Sequence, residues 1–154
     1  MRIWKMNFLL VAVLAGVILT GCKSDGDGDT GGTSLAQPVT ILERVSGDSA
    51  ALKELGSYHI ETKAQYEALG DADIFPGEVD FDTNDLVIVS LGERSTGGFA
   101  VNIESIQLSG GELAITGEAT TPAEDAAVTQ ALTYPYSAVL IPNTSAEVVV
   151  PYID

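Results

Sequence analysis

The chain is poor in the residues on which most metal, redox and nucleic-acid chemistry rests. It has a single cysteine, Cys22, so it can form no intramolecular disulfide and no multi-cysteine metal site. It has a single histidine, His59, which excludes a two-histidine zinc motif and a carboxylate-bridged histidine pair. Lysine and arginine number 7 against 22 acids, a net charge of −15. That balance argues against DNA or RNA as partners, because phosphate neutralisation needs basic clusters. Aromatics make up 6 %, so the core must be mainly aliphatic. Charged residues are only 19 % and apolar residues 45 %, so most of the 154 residues can fold, as one domain.

The first residues read as an address. Arg2 and Lys5 form a short basic region, and Phe8 to Leu19 is a continuous apolar run. Leu19-Thr20-Gly21-Cys22 follows, the pattern cut by the bacterial lipoprotein peptidase. Small residues fit the cleavage cleft, and the Cys22 thiol is needed to carry diacylglycerol as a thioether. The competing reading is an uncleaved anchor, but the run is short of the ~20 residues of a span. Residues 1–21 are therefore expected to be a lipoprotein signal peptide, with Cys22 as the site of lipid attachment. Loss of Arg2 and Lys5 leaves five basic against 22 acidic residues, a charge of −17. Such a surface repels anionic headgroups, so the lipid must hold the protein at the membrane of the cell envelope. Lys23 follows the cysteine instead of the Asp retention signal, which points to the outer membrane in a cell that has two.

Residues 22–37 are expected to form a tether. The stretch is rich in Gly, Asp, Ser and Thr and has almost nothing to bury. Asp25, Asp27 and Asp29 alternate as in a calcium loop, but Thr30 stands at the tight-turn position and Ala36 at the bidentate acid. A solvated spacer is the better reading.

From residue 38 to 154 the pattern is short β-branched or alternating runs cut by turn residues. Strands are expected in Val39–Val45, Tyr58–Ile60, Leu86–Leu91, Phe99–Leu108, Glu112–Gly117, Ala126–Leu132, Ser137–Ile141 and Glu147–Tyr152. Leu86–Leu91 is apolar on both faces and should be central. Phe99, Val101 and Ile103 alternate, and Ile106 and Leu108 follow after a phase change. Ser109-Gly110-Gly111 reads as a hairpin turn. Glu61–Leu69 alone has helical spacing, with Thr62 as N-cap, Gln65 as its capping-box partner and Gly70 as the stop. The expected fold is a mainly β, sandwich-like antiparallel domain with one short α-helix.

Catalytic options are few. His59 is the only general base near neutral pH, and no Gly-x-Ser-x-Gly elbow is present. Asp80-Phe81-Asp82-Thr83-Asn84-Asp85 offers clustered oxygens, more in keeping with Asx-turns than with a cation site. Carboxylate pairs have no discriminating value in a chain this acidic. No cofactor and no metal are expected.

The informative segment is Gly92-Glu93-Arg94-Ser95-Thr96-Gly97-Gly98-Phe99. It leaves the most buried-looking strand, makes a tight polar loop and enters an alternating strand. Its glycines can take positive φ, and its hydroxyls can bond their own backbone. A second unusual stretch is Thr121 to Tyr136, in which an aromatic before proline makes Tyr134-Pro135 a candidate cis turn.

In order, Gly92, Thr96-Gly97-Gly98-Phe99, Val128-Thr129-Gln130-Ala131 and Tyr134-Pro135-Tyr136 resemble the C-terminal domain of the PrcB family. The likeness covers about Leu86 to Pro142. It departs at Phe99, where Tyr is common, and at the acidic Ala123-Glu124-Asp125. The resemblance implies a lipoprotein-type polypeptide associated with a secreted protease complex and needed for its stability. A fainter likeness is to chagasin-type cysteine-protease inhibitors, whose Thr-Thr-Gly-aromatic loop Ser95–Phe99 resembles. Val101 stands where their Trp is expected.

The function expected from these readings is non-catalytic: binding and stabilising a partner protein, with a secreted protease as the candidate. The partner-binding residues would be Arg94, Ser95, Thr96, Gly97, Gly98, Phe99, Tyr134, Pro135 and Tyr136. One alternative is a protease inhibitor acting through Arg94–Phe99, and the remaining one a hydrolase using His59.

Overall fold

The computed structural model describes residues 35–70, 74–146 and 148–153. The leader, Cys22 and nearly all of the tether lie outside the described residues. The elements run β1 (Gln37–Val39), β2 (Glu43–Asp48), β3 (Leu55–Ile60), α1 (Lys63–Glu67), β4 (Asn84–Leu91), β5 (Ala100–Ser109), β6 (Glu112–Thr120), β7 (Pro135–Pro142) and β8 (Val148–Ile153). They form two four-stranded sheets, ordered β1-β5-β6-β8 and β2-β7-β4-β3. The domain is the mainly β sandwich-like fold with one short helix that the sequence pattern implies. Neighbouring strands run antiparallel except β6 and β8, which are parallel.

Strand β4 lies between β7 and β3, and its apolar run is explained by cover on both faces. Val87, Val89 and Leu91 face the other sheet and pack with Val101, Ile103, Ile106, Leu113 and Ile115. Leu86 and Ile88 point the other way. There they meet Leu52, Ile60, Ile74 and Phe75, with Tyr66 and Leu69 of the helical segment partly buried against them. The protein thus has an inter-sheet core and an outer core beneath α1 and the segment that follows it.

The phase change in β5 is a bulge. Ile103 pairs with Gly117, but Ser105 pairs with Thr116, so one extra residue, Glu104, resets the alternation. Ile103 and Ile106 therefore both face inward. The β5–β6 turn is a two-residue hairpin loop, with Gly110 at φ 60° and Gly111 at φ 85°, matching the right-handed twist of the strands. Helix α1 is capped as its sequence demands. The Gln65 N–H donates to the Thr62 hydroxyl at 3.3 Å, and the Thr62 N–H donates to the Gln65 side-chain carbonyl at 3.1 Å. Gly70, at φ 97°, follows its last turn.

Three expectations are corrected. The run Val39–Val45 is divided between two sheets: β1 pairs with β5 and β2 with β7, and residues 40–42 cross between them. Ala126–Leu132 forms no strand. Its alanines bring little apolar surface to a sheet, and its backbone bonds singly to another loop. The Tyr134-Pro135 bond is not cis; the described residues contain no cis peptide. Pro135 is the first residue of β7, opposite Asp48, where the absent N–H costs no ladder bond. The Tyr134 N–H donates to Asp48 Oδ2 at 2.7 Å and its carbonyl accepts from Ser49 at 3.1 Å, which carries an extended chain directly into the strand.

Candidate functional site

Strand β4 ends and β7 begins at the same end of the sandwich, so the loop 92–99 and the segment 121–134 emerge side by side. Their contacts are specific. Arg94 and Thr133 exchange backbone hydrogen bonds of 2.8 and 2.9 Å, as an isolated antiparallel bridge. The Thr133 hydroxyl donates to the Thr96 carbonyl at 2.8 Å, and the Gly97 N–H donates to the Thr129 carbonyl at 2.9 Å. Gly97 is buried against the Thr129 side chain, which occupies the place where a Cβ would lie. Two sequence-separated loops are thereby fastened into one surface.

Arg94 is half-buried, with its guanidinium 5.4 Å from the centre of the Phe99 ring, a cation–π arrangement. Its Nε is buried and has no hydrogen-bond partner among the described residues. Phe99 in turn packs partly buried against the inter-sheet core. Ser95 and Gly98 are exposed, Thr96 and Tyr134 half-buried, and Pro135 and Tyr136 buried. Beside the loop lies a cleft of about 400 Å³ whose walls include Asp48, Gly97, Gly98, Phe99, Pro135 and Tyr136. Five of the nine residues singled out from sequence line it.

Tyr136 also belongs to the outer core: it is 5 % exposed, and its hydroxyl donates to the Ile74 carbonyl at 2.7 Å. Burial, followed by Tyr66 and Asp48, pushes its phenol above the ordinary 10.0. A phenol raised in the folded state contributes stability that is complete below the unfolded value and lost as pH rises through the folded one. Tyr136→Phe is therefore expected to cost about 1–2 kcal/mol at neutral pH, since it orphans a buried carbonyl. It should also flatten the loss of stability above about pH 10. Urea unfolding of both proteins on either side of that pH checks this; parallel pH profiles would refute it. The Tyr134 phenol is raised too, first by its hydrogen bond to Glu93 at 3.1 Å.

Sequence reasoning placed Glu93 and Thr133 inside its two unusual stretches without giving them a role, and it missed Asp48 and Ser90. Of these last two only Ser90 carried a signal, as the hydroxyl inside an apolar run. It is fully buried, donates to the Leu52 carbonyl at 3.0 Å and accepts from Gly92 at 2.9 Å. His59 lies at the other end of β4 from the cleft. Its Nε2 is 3.1 Å from Oδ2 of Asp85, which is 2 % exposed and also accepts the Thr144 N–H at 2.8 Å. Asp80 closes an Asx-turn, accepting from the Asp82 N–H at 3.0 Å and the Thr83 hydroxyl at 3.0 Å. Among the described residues, no helix is long and apolar enough to cross a membrane.

A two-sheet β domain with braced loops at one end is a common recognition scaffold. Residues 86–142 match the family model PrcB C-terminal, and this segment of the chain is PrcB C-terminal-like, as its separated motifs lead one to expect. The matched segment runs from β4 through β7 and so contains both braced loops. The family is not a known catalytic one. No curated protein and no solved structure matches the chain.

Proposed function

We propose that the chain is a non-catalytic envelope lipoprotein, anchored through Cys22, that binds and stabilises a partner protein. A secreted protease complex is the partner class that the PrcB C-terminal match favours. The observation that carries the reading is the fastening of loop 92–99 to segment 121–134 by the Arg94–Thr133 bridge and the Gly97–Thr129 bond. A loop held from two sides loses little entropy on binding, and exposed Gly98, with no side chain, leaves its backbone open to a partner's backbone, while buried Gly97 serves the fastening itself. The hydrolase reading is disfavoured, because His59 is engaged with Asp85 at the far end from the cleft.

A photo-crosslinking residue placed at exposed Ser95 should capture a protease or its subunit in the cell envelope. The same residue at exposed Glu112, in the distant β5–β6 hairpin, should not. Deleting the chain should lower the level of the captured protease, and Cys22→Ala should release the complex from the membrane fraction. Equal capture from both positions would refute the recognition surface. Inhibition of the captured protease by the purified chain would establish the inhibitor reading instead.

A further inference from the structure

The His59 end of the sandwich holds a cluster with no part in the proposed recognition. His59 and Glu61 lie two residues apart, so their side chains emerge on the same side of the chain. Asp85 sits on β4 across from them, one step beyond the Ile60–Leu86 pair. A ring nitrogen of His59 and one carboxylate oxygen each of Glu61 and Asp85 all lie within 4.8 Å of one another. The burial is graded: the side chains of Asp85 and His59 are 3 % and 9 % exposed and Glu61 is exposed, so the group has a dry floor and an open mouth.

The charge is the informative part. A buried carboxylate is stable only when paired or bound to a metal. The four Lys and Arg of the described residues are Arg44, Lys53, Lys63 and Arg94, and none pairs with Asp85. Its only ion-pair contact among the described residues is the imidazole, at 3.1 Å. That distance also suits two ligands of one metal ion. With bonds of about 2.1 Å, neighbouring ligand atoms stand about 3.0 Å apart at a right angle and about 3.4 Å apart in a tetrahedron. One imidazole nitrogen and two carboxylates balance a doubly charged ion and leave room for water. A borderline metal suits this mixed set better than calcium or magnesium, which favour oxygen alone.

We propose that His59, Glu61 and Asp85 form a binding site for a divalent transition-metal ion of the zinc class. The bound ion joins β3 to β4. Through the Thr144 N–H on Asp85 it also secures the connection between β7 and β8. The site is separate from the cleft and stands or falls independently of it.

The test uses the full-length chain in detergent, stripped with EDTA and titrated with zinc chloride near neutral pH. One equivalent should bind in calorimetry. Tm should rise on the order of 10 °C at about a hundredfold excess over Kd, because the ion binds only the folded state. Glu61→Gln removes an exposed ligand without disturbing the core. It should weaken binding by about tenfold or more, as even outer partners of a metal are worth about 10–100-fold. His59→Gln should abolish the Tm response, and calcium should give none in the unaltered protein. Absence of heat and of any Tm shift would overturn the proposal. Zinc binding of equal affinity in wild type and Glu61→Gln would also overturn it, by placing the ion on the acidic surface or the tether. If His59→Gln does not fold, Glu61→Gln alone decides.

Discussion

Gly92→Ala is expected to lower folding stability by about 2–4 kcal/mol, through left-handed backbone cost and a clash together. Gly92 has φ 70°, and a Cβ there would stand 2.7 Å from the Leu55 nitrogen and 3.1 Å from the Lys53 carbonyl oxygen. Both contacts are backbone, so no rotamer change relieves them. The position is held from several directions: Gly92 donates to buried Ser90, Ser90 donates to Leu52, and Glu93 donates to Lys53 at 3.1 Å. Gly110→Ala is the control. It also has positive φ, at 60°, but nothing lies within 4 Å of the added carbon. Its cost should be confined to the backbone term, about 1–2 kcal/mol. Urea unfolding of the two variants measures the difference, and equal losses would show that the approach of residues 53–55 carries no weight.

Ile103→Ala should be costlier still, about 2–5 kcal/mol, with Tm falling by roughly 10–20 °C. Ile103 has no exposed surface and sits in the inter-sheet core among Val101, Ile106, Leu113 and Ile115. Its surroundings cannot readily collapse into the void. The bulge follows it directly, and its N–H donates to the buried hydroxyl of Ser137 in the opposite sheet at 3.2 Å. That bond ties the backbone in place after the side chain is cut. Ile103→Val removes one methylene and should cost about 0.5–1.5 kcal/mol. Chemical denaturation of the pair decides the point; an alanine cost no larger than the valine cost would mean that the site refills.

Several features of this chain were legible because they depend on neighbours in sequence. The Thr62–Gln65 capping box, the Gly110–Gly111 turn and the phase change at the β5 bulge each involve a few consecutive residues, and local chemistry admits few alternatives. Strand β4 was legible as central, because an eight-residue strand apolar on both faces has to be covered twice. The Arg94–Phe99 loop and the Tyr134–Tyr136 segment stood out as sequence, and they prove to flank one cleft.

What the chain alone left undecided was pairing across long separations. Whether Val39–Val45 is one strand or two depends on β5 and β7, more than 60 and 90 residues away respectively. Ala126–Leu132 has a composition that a strand tolerates, and only the nearby loop, through Gly97, claims its backbone bond instead. Ser90 reads as a polar interruption until Leu52 and Gly92 converge on its hydroxyl. His59 and Asp85 are 26 residues apart and belong to different motifs. They meet because β3 and β4 pair in a register set by the burial of Ile60 and Leu86 on the outer face, which turns both polar side chains to the inner one. Local propensity acts through neighbouring residues, whereas register is chosen by the apolar surface of the whole assembled sheet, and so these contacts exist only once the two sheets have closed on each other.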